Sequence, residues 1–306
     1  MIASGLFLSA LAACNDGYSA ETPLDAGDET PVDAGDETPG VLKLSYRLDN
    51  LPDLGADFVY EGWLIVDGQP MTTGRFSADS EGLLSPSYFD VDETLVSAAA
   101  KFILTIEPAT GDEPQPSQVH IVAGPVADGM AYLKTSDTAA VGTDFAEATG
   151  RFVLNTPTTS GDTSDNNQGI WFLVPPLPPA PGLELPELAS GWMYEGWVVG
   201  PNGPISTGRF TAVDAADLDG AGPTAGPDGS PPRPGQDFID PAIVLDETFK
   251  AVITVEPYPD TSPAPFSIKP LVATIENIAF PMSQAMTNVA AASLPEGVVV
   301  FEKKTQ

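Results

Sequence analysis

Four glutamates are the residues of this chain whose type and repetition most readily suggest chemistry. Glu61 and Glu107 recur as Glu195 and Glu256, each within a matching stretch of sequence. Two carboxyl groups at a suitable separation can supply the acid and the base, or the acid and the nucleophile, of glycoside hydrolysis. The paired glutamates therefore raise the hypothesis of a glycoside-active enzyme.

A structural alternative assigns the same glutamates to the scaffold. The first glutamate of each pair would form an ion pair with Arg75 or Arg209 across a hairpin. The second would accept backbone N–H groups at a strand end, before a proline. Both copies keep the whole set, as scaffold residues would, and neither copy has a neighbouring histidine. We therefore favour the structural alternative and expect the protein not to be an enzyme.

An aspartate-rich stretch is a weak candidate for a calcium site. Asp217 and Asp219 lie close together with Asp214 nearby, and calcium needs several oxygen ligands from a turning loop. The positions where an EF-type loop would place further carboxylates hold Ala215 and Ala221. We expect a solvated acidic loop here, and neither a metal ion nor a cofactor.

Composition excludes several further classes of protein. The 306 residues include 12 Lys and Arg against 43 Asp and Glu, a net charge of −31, so nucleic acid would be repelled. A single cysteine and a single histidine exclude a disulfide framework and a zinc ribbon. We expect His120 to be a hydrogen-bonded residue near a strand edge.

The only cysteine, Cys14, indicates a lipid anchor. Residues 1–13 are apolar and small, and Leu-Ala-Ala-Cys at 11–14 is similar to the lipobox of bacterial lipoproteins. We predict a signal peptide and lipobox over 1–14, and lipidation of Cys14. The chain would then be membrane-anchored and extracytoplasmic, in a bacterial cell envelope. Residues 15–40 contain an acidic repeat of eight residues and predict a disordered tether.

The remainder of the chain is duplicated. Tyr-Glu-Gly-Trp at 60–63 recurs at 194–197, and Thr-Gly-Arg-Phe at 73–76 recurs at 207–210, both 134 residues later. Thr-Ile-Glu-Pro at 105–108 matches Thr-Val-Glu-Pro at 254–257, which is 149 residues later. The second repeat therefore holds a net insertion of 15 residues, because 149 − 134 = 15. Its Asp-, Gly- and Pro-rich composition predicts a surface loop over 214–241.

The periodicity within each repeat is that of short strands separated by Gly and Pro turns. This pattern predicts an all-β fold with two tandem β-sandwich domains of immunoglobulin-like type, at 41–156 and 183–306. The segment 157–182 between them predicts a loop, an apolar strand and a stiff proline-rich linker.

The aromatic residues of the repeated motif have two interpretations. Tyr60, Trp63, Tyr194 and Trp197 occupy equivalent positions, which favours a role as core anchors. An exposed aromatic platform for glycan binding is the alternative for the two tryptophans.

The order of these motifs resembles the extracytoplasmic C-terminal domain of anti-sigma-K factors, and it does so twice. The shared elements are Tyr-Glu-x-Trp at 60–63, Thr-Gly-x-Phe at 73–76 and Thr-x-Glu-Pro at 105–108, with their second copies. The resemblance implies a β-sandwich outside the cytoplasmic membrane and supplies no catalytic residue. Such factors carry a sigma-binding helical domain and a spanning helix before this domain, whereas a lipobox and a tether stand here. We therefore expect only the outer module to be shared.

These observations together predict a lipid-anchored, extracytoplasmic module that binds or supports other molecules without catalysis. Its expected partners are the membrane, through the lipid, and an envelope protein or a glycan. An envelope sensor or regulator like the outer domain of an anti-sigma factor is the first alternative. A glycoside-active enzyme that uses the paired glutamates is the second.

Overall fold

The computed structural model describes residues 40–304, apart from 160, 162, 177, 260 and 261. The described residues belong to one compact unit. The predicted signal peptide, lipidated Cys14 and nearly all of the acidic tether lie outside the described residues. Within the described part, no helix has the length and apolar character needed to cross a membrane.

The described chain is nearly all β, which confirms the all-β class that the sequence predicts. The strands of the first repeat are β1 (Val41–Asp49), β2 (Phe58–Val66), β3 (Gln69–Ala78), β4 (Leu84–Ser85), β5 (Tyr88–Asp92), β6 (Ala99–Pro108), β7 (His120–Ala127), β8 (Met130–Lys134) and β9 (Thr149–Leu154). The middle segment holds β10 (Gly169–Trp171), β11 (Leu173–Val174), β12 (Ala180–Pro181) and β13 (Leu183–Glu184).

The second repeat continues with β14 (Trp192–Gly200), β15 (Gly203–Phe210), β16 (Gly235–Asp237), β17 (Lys250–Pro257), β18 (Leu271–Thr274), β19 (Gln284–Ala285), β20 (Thr287–Asn288) and β21 (Glu296–Lys303). One short helix, α1 (Glu93–Ala98), lies between β5 and β6. Short 3₁₀ turns occupy Pro157–Thr159, Asn166–Gln168 and Ala290–Ala292.

The largest sheet has nine strands in the order β4-β3-β2-β6-β7-β8-β21-β1-β5. All of them come from the first repeat except β21, the last strand of the second repeat. It lies between β1 and β8, with Phe301 opposite Leu44 and Val300 opposite Met130. Phe301 also packs on Phe102 of β6, with ring centroids 6.3 Å apart. The second repeat thus completes the core of the first.

The first repeat also contributes a strand to the sheet of the second repeat. Strand β9 ends the first repeat, yet it pairs with β10 and β13 on one side and with β19 on the other. Leu154 lies opposite Ile170, as Phe301 lies opposite Leu44 in the first sheet. Phe152 packs on Phe172 at 6.4 Å between ring centroids. The last strands of the two repeats are therefore exchanged reciprocally, and strand pairing crosses the domain boundaries that the sequence predicts.

The hairpin of each repeat keeps the same register. Tyr60 lies opposite Phe76 in β2–β3, and Tyr194 lies opposite Phe210 in β14–β15. The register slips after the motif glycine in β2 and across it in β14. A Cβ atom added at Gly62 would lie 2.5 Å from the Thr73 hydroxyl oxygen, so only glycine fits there. The spacing of the motif therefore encodes a bulged hairpin twice.

The proline-rich segment is not the extended spacer that its composition predicts. Strands β11 and β12 pair with each other, with Leu173 opposite Pro181, and form a hairpin. At its base the Gly182 N–H donates to the Phe172 carbonyl at 2.9 Å. Strands β10 and β13 both pair with β9, as β1 pairs with β21, so together they are equivalent to β1. The hairpin is therefore an insertion within the strand that is equivalent to β1.

The insertion at 214–241 is a surface loop only in part. Its strand β16 pairs with β10, and Asp237 and Phe238 are fully buried. The Trp171 indole N–H donates to Asp237 Oδ1 at 2.7 Å, and the Thr158 N–H donates to Asp237 Oδ2 at 3.0 Å. The insertion is therefore anchored to the middle segment through one buried carboxylate, which sequence composition alone does not reveal.

The strand exchange makes a testable prediction about truncation. A chain ending at Leu294 lacks β21, and it loses the burial of Val299 and Phe301, which is worth about 1.5–3 kcal/mol for each side chain. We expect β1 and β8 to lose amide protection in hydrogen exchange, and the free energy of unfolding to fall by several kcal/mol. A chain ending at Lys304 is the control. Addition of a peptide spanning residues 295–304 should restore protection, whereas unchanged protection in the truncated chain would contradict the exchange.

Candidate functional site

The repeated motif of the first repeat forms a chain of hydrogen bonds across β2 and β6. The Trp63 indole N–H donates to Thr105 Oγ1 at 2.9 Å. The Thr105 hydroxyl donates in turn to Glu107 Oε1, which also accepts the Ser117 N–H at 2.8 Å. Thr105 and Glu107 lie on the same face of β6 because alternate side chains of a strand share a face. The carboxylate therefore joins β6 to the segment that precedes β7.

The other glutamate of the first repeat, Glu61, lies beside this hydrogen-bonded chain. Glu61 is opposite Arg75 in the β2–β3 register, and its Oε2 is 3.4 Å from Arg75 Nε. Its other carboxylate oxygen accepts the Thr72 hydroxyl. Arg75 also lies 3.5 Å from Asp112, and its guanidinium donates to the Pro108 carbonyl. The predicted cross-hairpin ion pair is present, at the edge of the core.

The second repeat reproduces this arrangement. The Trp197 indole N–H donates to Thr254 Oγ1 at 2.8 Å, and the Thr254 hydroxyl donates to Glu256 Oε1. Glu256 also accepts a backbone N–H, from Phe266 at 2.9 Å. Glu195 lies opposite Arg209 in the strand register and accepts the Ser206 hydroxyl at 2.5 Å.

The two motif tyrosines tie a preceding loop to the sheet. The Tyr60 hydroxyl donates to the Pro52 carbonyl at 2.7 Å, and the Tyr194 hydroxyl donates to the Pro186 carbonyl at 2.7 Å. Both rings are buried, and burial raises the pKa of each phenol above its ordinary value. The tyrosines therefore act as neutral donors at any ordinary pH.

The geometry of the four glutamates fits the scaffold better than acid–base catalysis. Their exposed fractions are 6% for Glu61, 1% for Glu107, 4% for Glu195 and 1% for Glu256. Burial raises the pKa of Glu107, and the hydrogen bonds from Thr105 and Ser117 oppose that rise. The four clefts described on the surface are lined by other residues. The four carboxylates are therefore enclosed by the fold, and the hydrogen bonds described for them are to groups of the same repeat.

The tryptophans and the histidine have equally local partners. Trp63 is 3% exposed and Trp197 is 2% exposed, so neither ring presents a flat face to a glycan. His120 Nδ1 lies 2.8 Å from the Ala139 carbonyl oxygen, and this oxygen can only accept, so Nδ1 carries the proton. The His120 carbonyl accepts the Trp192 indole N–H at 3.1 Å. All three side chains serve packing and hydrogen bonding within the fold.

The weak calcium candidate forms an internal turn in this structure. Asp217 is buried, and its two carboxylate oxygens accept the N–H groups of Asp219 and Gly235, both at 3.0 Å. Asp214 and Asp219 are exposed. Among the described residues, no group of three or more His, Cys, Asp or Glu is placed to hold a metal ion. Burial raises the pKa of Asp217 to about 6.

Sequence reasoning missed two features that involve residues distant in the chain. One is Asp237, which has a raised pKa because of burial and joins the insertion to the middle segment. The other is a cleft of about 770 Å³ between residues 143–148 and 183–186. Its acidic residues Asp144, Glu147 and Glu184 carry no motif, and only the fold brings them together. A second cleft, of about 930 Å³, is lined largely by prolines.

Comparison with known proteins gives a match to a protein family in the first repeat. Residues 38–126 match the family model described as "Anti-sigma-K factor rskA, C-terminal". The match includes β1 to β6 and nearly all of β7, and with them the complete hydrogen-bonded motif of the first repeat. No curated protein and no solved structure matches the chain. The anti-sigma-factor-like character expected from the motifs is thereby supported for this part of the chain.

The buried tryptophan of the first repeat makes a prediction about stability. Replacing Trp63 by Ala removes a buried ring and leaves a cavity, which typically costs about 3–5 kcal/mol. We expect a loss of this size in denaturant unfolding, and a smaller loss for Trp63→Phe, which keeps most of the volume but not the indole N–H. A Trp63→Ala variant with unaltered stability would place the ring on the surface and favour a binding platform.

The raised pKa of Asp217 predicts how stability changes with pH. Burial penalises the ionised carboxylate in the folded state, so its contribution to the free energy of unfolding falls as pH rises from about 4 to about 6. The Asp217→Asn variant lacks this dependence, although it loses one acceptor at every pH. We expect its stability relative to the parent chain to improve by up to about 3 kcal/mol over that range, at roughly 1.4 kcal/mol per pKa unit. The exposed Asp219→Asn is the control, and parallel curves for the parent chain and Asp217→Asn would refute the assignment.

Proposed function

We propose that this protein is a lipid-anchored, extracytoplasmic component of a bacterial envelope that binds or supports other molecules without catalysis. It would consist of two copies of a β-sandwich resembling the outer domain of anti-sigma-K factors. The observation that carries this proposal is the double hydrogen-bonded network, in which Trp63, Thr105 and Glu107 and their second-repeat counterparts engage one another. The polar groups that first suggest catalysis are buried among internal partners.

The absence of free reactive groups in the motif supports binding over chemistry. A general acid or base must come within hydrogen-bond reach of the proton that it transfers. Glu107 and Glu256 instead accept backbone N–H groups of their own repeats, at 2.8 Å and 2.9 Å. A carboxylate held in this way stabilises the end of a strand. Such a role is structural and needs no substrate.

The anchoring part of the proposal is supported by the sequence before residue 40. Cys14 follows an apolar segment, and residues 15–40 contain an acidic repeat. A lipid attached to Cys14 would hold the module at a membrane surface, since burial of each CH₂ group contributes about 0.8 kcal/mol. Two or more acyl chains would make the attachment stable.

A regulatory role is the second candidate, and the family match at residues 38–126 favours it. In this case the module would sense an envelope signal and pass it to a partner protein. Cross-linking of the full chain in its native envelope, followed by identification of the captured proteins, separates the two candidates. Capture of a membrane protein with a cytoplasmic sigma-binding domain would favour regulation, whereas capture of structural envelope components alone would favour a scaffold.

The anchor makes the decisive prediction for this proposal. Replacing Cys14 by Ser removes the thiol that would carry the lipid, so we expect the variant to move from the detergent phase to the aqueous phase. Incorporation of labelled palmitate should be lost in the same variant. Ser19→Ala, within the tether, is the matched control and should keep both properties. Unchanged detergent partition of Cys14→Ser would refute the lipid anchor.

A further inference from the structure

The cleft of about 770 Å³, here named the acidic cleft, combines an apolar floor with a charged rim. The loop between β8 and β9 forms one wall, and β13 with the two residues after it forms the other. Phe145 and Leu183 are each 1% exposed and lie in the floor. Val213 of the second repeat also lines the cleft. The volume lies within the range typical of ligand-binding sites, about 300–1,000 Å³.

The rim carries negative charge and nothing to balance it. Asp144, Glu147 and Glu184 line the cleft and are exposed to solvent, and no Lys, Arg or His is among the lining residues. The whole chain has a net charge of −31, which favours association with cations in general. A ligand with a positive group at one end and an apolar body complements both parts of the cleft.

Hydrogen bonds from residues outside the lining fix one wall of this cleft. The Asn288 side-chain amide donates to the carbonyls of Phe145 and Ala148, at 2.8 Å and 3.0 Å. On the rim, the Thr149 hydroxyl donates to Glu184 at 3.2 Å. The loop between β8 and β9 is therefore fixed to the second repeat, and a ligand would meet a preformed wall, which lowers the entropic cost of binding.

The first repeat contributes to a related cleft, and this cleft is lined by a lysine of the chain itself. This cleft, of about 350 Å³, is lined by Leu51, Pro52 and Asp79, which lie 134 residues before Leu185, Pro186 and Val213 of the acidic cleft. Lys269 of the second repeat lines it, in the company of Asp53 and Asp79. The smaller cleft is thus lined by a basic side chain from another segment of the chain, whereas the acidic cleft has no basic lining residue.

We propose that the acidic cleft binds an extended segment of a partner protein, with a Lys or Arg next to an apolar side chain. The methylene stem of the basic residue would cover the floor, and its charged head would meet the rim carboxylates. The apolar neighbour would pack against Val213 and Leu185. This inference rests on the proposed function as a binding module, and it names the surface and the kind of partner.

The test measures binding of short labelled peptides to the full chain in detergent, by fluorescence anisotropy. One peptide carries Arg between two Leu, one carries Arg between two Ser, and one carries Glu between two Leu. The cleft variant combines Asp144→Asn, Glu147→Gln and Glu184→Gln. The control variant combines Glu81→Gln, Glu113→Gln and Glu302→Gln, which are exposed acids elsewhere. Both variants change the net charge by the same amount, and circular dichroism confirms that each is folded.

We expect the Leu-Arg-Leu peptide to bind best and to lose about threefold to a hundredfold in affinity to the cleft variant, because the three rim carboxylates are neutralised together. The control variant should bind nearly as well as the parent chain. Val213→Lys should weaken binding by placing a cation in the cleft. An equal loss in both acid variants, equal binding of the Ser-Arg-Ser peptide, or no binding of any peptide would each overturn the proposal.

Capture from the native envelope separates a failure of this inference from a failure of the proposed function. If the parent chain and the cleft variant capture the same proteins, the binding module stands and the acidic cleft is not its site. If neither captures any protein, the proposed function fails as well. Saturation of the cleft by spermidine, lost in the cleft variant, without binding of any peptide would also overturn the proposed partner in favour of a small amine.

Discussion

The last strand of each repeat pairs in the sheet of the other repeat, and the rest of the architecture depends on that constraint. Strand β21 must reach back to lie between β1 and β8, and β9 must reach forward to lie between β13 and β19. Neither core closes until both repeats are present, because Phe301 packs on Phe102 and Phe152 packs on Phe172. Contacts between residues so distant in sequence carry a large cost in loop closure, which the buried aromatic pairs offset.

The parts of the fold that are local in sequence could be predicted from it. The hairpins at 58–78 and 192–210 follow from alternation, from the turn residues and from the spacing of the two motifs. The exchange could not be predicted, for a physical reason. Gly-Arg-Phe-Val-Leu at 150–154 and Gly-Val-Val-Val-Phe at 297–301 have the same pattern, so either strand satisfies either sheet. Duplication itself makes the two pairings equivalent at the level of sequence, and only the three-dimensional path distinguishes them.

The middle segment and the insertion show the same limit in another form. Proline runs indicate a stiff spacer when they stand between domains, but here the prolines lie in a hairpin whose base, at Gly182 and Phe172, stays within a sheet. The insertion is rich in Asp, Gly and Pro and predicts a loop, yet Asp237 within it accepts hydrogen bonds from Trp171 and Thr158. Composition predicts the exposed part of each segment correctly, but it does not identify the few residues that anchor the segment. Likewise, the scaffold role of the glutamates could be argued from their repetition, whereas the acidic cleft could not.

The exchange also explains why clefts form where they do. The segments that carry the chain from β8 to β9 and from β20 to β21 cross between the repeats, and each lines a cleft against the other repeat. Because the crossings are equivalent, the two clefts have related positions in the fold. They differ in size and in charge balance, since Lys269 lines the smaller one and no basic residue lines the larger. The buried network of Trp63 and its second-repeat counterpart Trp197 shows no such difference. Residues that hold the fold are alike in the two repeats, whereas residues at the crossings differ, and this difference supports the proposal that the acidic cleft binds a partner.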